Sequence, residues 1–156
     1  KVPTFTPQGL LVSESAAIVN YAGNLSQDRS LIPSDVTARA QCDDMILCVD
    51  GAGVVTLDIG KHRFALPEEY RHEVMFDTVT FEFNKAQQAL AFKLDGRDFA
   101  VGDTFSMAYL LLAHAINWAE RFKMNVEPAF LDYRNRMYAR PACQQSLRRI
   151  GAKAFF

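Results

Sequence analysis

Three sets of residues in this 156-residue chain have types and positions that could do chemistry. The first is Val2-Pro3, placed before a strand-like run. A proline at the mouth of a strand can hold a cis peptide that bends the backbone and turns its polar groups toward a ligand, although a trans proline at a strand edge fits the same residues. The second is Glu14-Ser15, at the head of a helical run. Unpaired N–H groups, a serine hydroxyl and the positive end of the helix dipole can together hold a carboxylate, while Glu14 can pair with an ammonium group. Those are the groups that grip an amino-acid zwitterion, and they are equally the groups of a simple helix cap with an acid in its first turn.

The third set is His62, His72 and His114 with Cys42, Cys48 and Cys143. No two of these histidines are spaced to ligate from one helix face, and the cysteines complete no zinc set, so no metal is expected. His114 lies in the most apolar segment and is expected to be a hydrogen-bonded core residue rather than a base. The chain has no GxSxG elbow and no glycine-rich phosphate loop. Three cysteines without a CxxC pair fit free thiols in a reducing compartment, and the segment Lys1-Val2-Pro3-Thr4-Phe5 carries no export pattern, so the expected location is the cytoplasm.

The elements that must position these residues follow from periodicity. Thr4-Phe5-Thr6 and Leu10-Leu11-Val12 flank Pro7-Gln8-Gly9 and predict a hairpin. A short helix follows, with Ser13 or Ser15 as its cap and Gly23-Asn24 as its stop. Residues 26–34 turn polar and read as a linker between a unit over 1–25 and a helical unit over 35–156. In that unit Ala38, Cys42, Met45, Ile46 and Val49 share one face of a long helix, capped by Ser34 or Asp35 and broken at Gly51 and Gly53.

Pro67-Glu68-Glu69 predicts the start of a second long helix, striped by Phe76, Val79, Phe83, Ala86 and Leu90. A third, from about Ser106 to Phe122, is apolar nearly all round and should be central. Pro128 and Pro141 open two more, the last carrying Cys143, Leu147 and Ile150. The longest apolar stretch, Met107 to Ile116, is too short to span a bilayer, so no membrane partner is expected. Seventeen Lys and Arg against eighteen Asp and Glu give a net charge of −1 without a basic stripe, which argues against nucleic acid. An apolar fraction of 49% with twelve Phe excludes a disordered chain.

Taken in order, Lys1-Val2-Pro3-Thr4, the hairpin, Glu14-Ser15-Ala16-Ala17-Ile18 and Leu31-Ile32-Pro33 resemble the glutathione S-transferase family. Phe105-Ser106-Met107-Ala108 and the run from Tyr133 through Arg140-Pro141-Ala142 look like its C-terminal landmarks. The resemblance implies a mostly α fold: an all-helical C-terminal domain preceded by the ββα part of a thioredoxin-like domain. It also implies glutathione as co-substrate, an apolar electrophile beside it in a pocket walled by the first and third long helices, and a homodimer.

Carried over residue by residue, Pro3 would be the family's cis-proline, Val2 would bond the cysteinyl part of glutathione through its backbone, and Lys1 would lie near the glycyl carboxylate. Glu14 and Ser15 would hold the γ-glutamyl ammonium and carboxylate. Two departures stand out. The family's catalytic Tyr, Ser or Cys precedes the Val-Pro position, where this sequence has only Lys1, so the chain is expected to be N-terminally incomplete and no residue is assigned to activating the thiol. At the head of the third long helix Ser106 keeps its place, but Tyr109 stands where the family has an acid, which predicts a weaker helix start or compensation by Asp103. The functions these readings allow are a glutathione transferase or glutathione-dependent reductase, and alternatively a non-catalytic binding or assembly module on the same fold.

Overall fold

The computed structural model describes residues 3–26, 31–94, 96, 99, 101 and 105–151. Strands β1 (Thr4–Phe5) and β2 (Val12–Ser13) pair antiparallel, with Thr4 opposite Ser13 and Phe5 opposite Val12. Between them Pro7–Gly9 forms one tight turn, closed by the Leu10 N–H donating to the Pro7 carbonyl at 2.9 Å. Gln8 and Gly9 both take positive φ there, 48° and 84°. Helix α1 (Ser15–Leu25) follows, so the strand, strand, helix order is the one predicted.

Gly23 does not end α1 as expected; it lies inside the helix and is buried. Packing explains it, because a Cβ at Gly23 would sit 2.6 Å from Ile32 Cγ1 and 3.0 Å from Met107 Cγ. The glycine is where Ile32, from the segment before the next helix, docks against α1. Residues 27–30 of the predicted linker lie outside the described residues.

Helix α2 (Val36–Gly60) starts where Asp35 accepts a hydrogen bond from the Ala38 N–H at 2.9 Å. Its predicted face is buried through Cys42, Met45, Ile46 and Val49. The break expected at Gly51 and Gly53 does not occur. Each glycine costs a helix about 1 kcal/mol relative to alanine, whereas burying one large apolar side chain returns about 1.5–3 kcal/mol. The turns beyond the glycines bury Thr56 and Ile59, and the Thr56 hydroxyl closes onto the Ala52 carbonyl at 2.9 Å.

Pro67-Glu68-Glu69 opens only a short turn, Glu68–Tyr70, and the second long helix, α3 (Val74–Leu94), begins later than predicted. The Arg71 Nε donates to the Leu66 carbonyl at 2.7 Å and the His72 N–H to His62 Nδ1 at 3.3 Å, bonds that hold this stretch folded back before the helix starts. The expected stripe of α3 is found, with Val79, Phe83 and Leu90 buried. Helices α4 (Ala108–Arg121), α5 (Pro128–Tyr138) and α6 (Pro141–Arg149) follow in the predicted order.

Helix α4 is central, packing on α2 and on α5 and burying Tyr109, Leu112, Ile116 and Ala119. Its start differs from the expected cap. Met107, not Ser106, stands at the N-cap and makes no side-chain capping bond; Ser106 is buried, and its Oγ accepts from the Cys42 thiol at 3.8 Å. Tyr109 takes over the anchoring that an acid would supply, by another route. Its hydroxyl accepts from the Val101 N–H at 3.0 Å, and its ring stacks on Phe105 and Tyr133 with centroids 5.6 and 5.8 Å away. Asp103, the other candidate, lies outside the described residues.

Replacing Tyr109 by Phe keeps the stacking and strands a buried N–H, so it should cost about 1–2 kcal/mol. Urea denaturation with an unchanged m-value checks this; a variant as stable as the parent would show that the Val101 bond does not hold the loop.

Candidate binding cleft

At the junction of β2 and α1, Glu14 takes φ 74° and ψ 125°. A non-glycine residue in that region stores roughly 1–3 kcal/mol of strain, a cost met mostly at binding sites. The Glu14 carbonyl accepts the first helical bond, from the Ile18 N–H at 3.0 Å. Ser15, the first residue of the helix, donates its hydroxyl to Asp50 Oδ1 at 2.9 Å and so ties α1 to the middle of α2.

These groups open on a pocket of about 580 Å³. Pro3, Glu14 and Ser15 form one part of its lining. Helix α2 supplies Asp50, Gly53, Val54 and Leu57, and α4 supplies Leu111, His114, Ala115 and Trp118, with Val49 at the base where pocket meets core. The walls are therefore the first and third long helices, as the resemblance implied. The lining is mainly apolar with a few convergent polar groups, the usual make-up of a small-molecule site.

His114 is not the core residue expected from its apolar neighbours. It is exposed along the cleft, and its ring lies 4.4 Å from that of Trp118, centroid to centroid. The apolar surroundings disfavour the charged imidazolium and hold its pKa below the ordinary histidine value. On the acidic side the pocket carries Glu14 and Asp50, and its described lining contains no Lys or Arg. Among the described residues no group of three or more His, Cys, Asp or Glu could hold a metal ion, and no helix is long and apolar enough to cross a membrane.

Of the residues singled out in the sequence, the structure brings Pro3, Glu14 and Ser15 onto one cleft, while Lys1 and Val2 lie outside the described residues. Sequence reasoning missed Asp50, Gly53, Val54 and Leu57 on α2 and the line Leu111, His114 or Ala115, Trp118 on α4. A signal was present: both sets repeat at i, i+3 or i+4, and i+7, a second helical stripe beside the core stripe. It was hidden because Gly53 reads as a breaker and the apolar members of both stripes read as core.

The family model for the glutathione S-transferase C-terminal domain matches residues 59–141. A probable maleylacetoacetate isomerase of Caenorhabditis elegans is 27% identical over 135 residues, covering 82% of this chain and 60% of that protein. A probable maleylacetoacetate isomerase 2 of Drosophila melanogaster is 28% identical over 130 residues, covering 82% of this chain and 55% of that protein. The chain thus spans less than two thirds of either relative's length.

Among solved structures, a sphingomonad glutathione S-transferase complexed with glutathione superposes with a TM-score of 0.80 at 22% identity, covering 98% of this chain and 75% of that one. The ternary complex of BphK, a bacterial enzyme of the same kind, gives 0.83 at 20% identity, covering 97% and 74%. These likenesses show the fold, a helical domain joined to part of a thioredoxin-like one.

The His114 shift makes a pH prediction. With its folded pKa below the unfolded value near 6.5, the unfolded chain binds the extra proton as pH falls through 6.5, so the folded state loses stability below that pH and is unaffected above it. Thermal melts from pH 7.5 to 5.5 should therefore fall less steeply for His114→Gln than for the parent; equal slopes would mean that His114 is solvated like a free histidine.

Proposed function

Because the chain belongs to the glutathione S-transferase family, its C-terminal domain matching over residues 59–141, we propose that it binds glutathione at the head of α1 and presents the thiol to an electrophile in the adjoining apolar pocket. The observation that carries this reading is the meeting of Glu14, Ser15 and Asp50 at one side of a mainly apolar cleft. The γ-glutamyl carboxylate fits the N–H groups at the α1 N-terminus and draws the Ser15 hydroxyl away from Asp50, whose carboxylate, with that of Glu14, then pairs with the ammonium. In this reading Pro3 and Val2 present backbone to the cysteinyl part, as an added strand would, and Lys1 meets the glycyl carboxylate. Asp50 joins the set as the group that holds Ser15 in the free cleft and pairs with the ammonium in the bound one.

The reaction proposed is transfer of the thiol to an electrophilic carbon, with a C–S bond formed by thiolate attack, or a glutathione-dependent reduction. Binding both partners side by side supplies proximity. The group that lowers the thiol pKa is assigned to the part of the relatives' length that this chain does not span. No side chain described here is given that role. We further propose a homodimer, supported by large apolar side chains left exposed on α2 and α3, among them Leu47, Phe81 and Phe92 at 66, 65 and 85%. A cytoplasmic location accords with the free thiols of Cys42, Cys48 and Cys143.

Isothermal titration of the full-length protein with glutathione tests the reading. Glu14→Gln and Ser15→Ala should each weaken binding about tenfold, the equivalent of one charge-assisted hydrogen bond, with melting temperatures little changed. A protein that does not bind glutathione would sink the proposal; binding without turnover of any thiol-reactive substrate would favour a non-catalytic module.

A further inference from the structure

The near-even total charge of the chain hides a strong asymmetry. Residues 133–156 hold six of its seventeen Lys and Arg and none of its eighteen Asp and Glu, so residues 1–132 keep eleven bases against eighteen acids. A molecule polarised in this way is oriented by a charged surface before it touches it. Of the six bases, Arg134 is used inside the fold, where it is buried and paired with Glu120. Arg136, Arg140, Arg148 and Arg149 are exposed. Arg140 stands at the start of α6 with its guanidinium 3.8 Å from the centre of the Phe105 ring, and Arg148 and Arg149 close the helix about 13 Å further along its axis. Cys143 and Leu147 hold another side of α6 against the core cluster.

Beside these arginines Ile150 is 74% exposed, and the sequence continues as Gly151-Ala152-Lys153-Ala154-Phe155-Phe156, adding one more cation and two phenylalanines. We propose that this end of the molecule docks on an anionic lipid surface, with Arg140, Arg148 and Arg149 meeting headgroup phosphates and Ile150 entering the boundary between headgroups and acyl chains. The dipole of α6 accounts for the sign of the charges in its last turn. It does not account for a large apolar side chain held out beside them, nor for a stretch from residue 133 onward without a single acid. A lipid surface uses both features at once. Each cation near an anionic leaflet contributes roughly a fivefold factor to binding, and an apolar side chain adds burial among the acyl chains. A nucleic acid or an acidic peptide would use the arginines and leave Ile150 in water. The acids of residues 1–132 are repelled by the same surface, so the basic end is the one that faces it. No helix need cross the bilayer for such a contact, and none of Arg140, Arg148, Arg149 and Ile150 lines the glutathione cleft.

Vesicle sedimentation tests this directly. Full-length protein should sediment with sucrose-loaded phosphatidylcholine vesicles containing about one third phosphatidylglycerol, and should stay in the supernatant with pure phosphatidylcholine. Raising the salt from about 0.05 M to about 0.5 M should release most of it. Arg148→Gln combined with Arg149→Gln should weaken binding about twentyfold, and Arg148→Lys combined with Arg149→Lys should keep most of it, since the attraction is to charge. Ile150→Ser should cost about threefold. Melting temperatures should not change, because all three side chains are exposed. Equal binding to neutral and anionic vesicles, no sedimentation with anionic vesicles at the lower salt, or affinity indifferent to the double glutamine variant overturns the proposal. So does an Ile150→Ser protein that binds vesicles like the parent while duplex DNA at equal phosphate concentration competes fully, an outcome that assigns the arginines to nucleic acid.

Discussion

The contact of α2 with α4 is the constraint from which the rest of the structure follows. Cys42, Met45, Ile46 and Val49 on one helix, and Tyr109, Leu112 and Ile116 on the other, belong to one buried cluster, with relative exposures from 0 to 6%. Each such side chain is worth about 1.5–3 kcal/mol on burial, so the distance between the two helices is set by core packing rather than by any ligand. The same two helices present a second face to the cleft. The pocket is in this sense already formed, and α1 completes it through the Ser15 to Asp50 hydrogen bond.

Polar groups fix the position of α4 more sharply than apolar packing could. Arg134, buried on α5, donates to Glu120 at 2.8 Å and to Asn117 at 3.2 Å, both on α4. A buried guanidinium is costly unless it is paired in this way, and directional pairing selects one register between the two helices. At the other end Tyr109 and Tyr133 stack, and burial pushes the Tyr133 hydroxyl far above its ordinary pKa, so it stays a neutral donor, reaching toward the Tyr109 carbonyl at 3.4 Å. Between these two ties lies the stretch of α4 that carries His114.

Much of this arrangement could be read from residue order. The hairpin, the helices opened by Pro128 and Pro141, the buried stripe of α3 and the central place of α4 follow from spacing that local geometry alone enforces. What could not be read depends on contacts between distant residues. Gly23, Gly51 and Gly53 look like stops, and only Ile32 and Met107, or the burial of Thr56 and Ile59, make continuing the helix favourable. Tyr109 looked like a lost cap because its partner, the Val101 N–H, is on a loop whose path no periodicity specifies. His114 looked buried because an apolar cleft wall and a core have the same composition. Asp50 shares the spacing of the second α2 stripe, but its role depends on Ser15 being brought beside it.

The two stripes of α2 have different neighbours: positions 42, 45, 46 and 49 face packed side chains, whereas 50, 53, 54 and 57 face the cleft, and Gly53 meets nothing there. A change at Val54 or Leu57 therefore alters the pocket without opening a cavity in the core, where large-to-small substitutions cost about 2–5 kcal/mol. Such changes carry little thermodynamic penalty. A chain built this way can drift in what its cleft accepts while its fold stays under separate selection, so descendants of one scaffold can part in substrate range long before they part in structure.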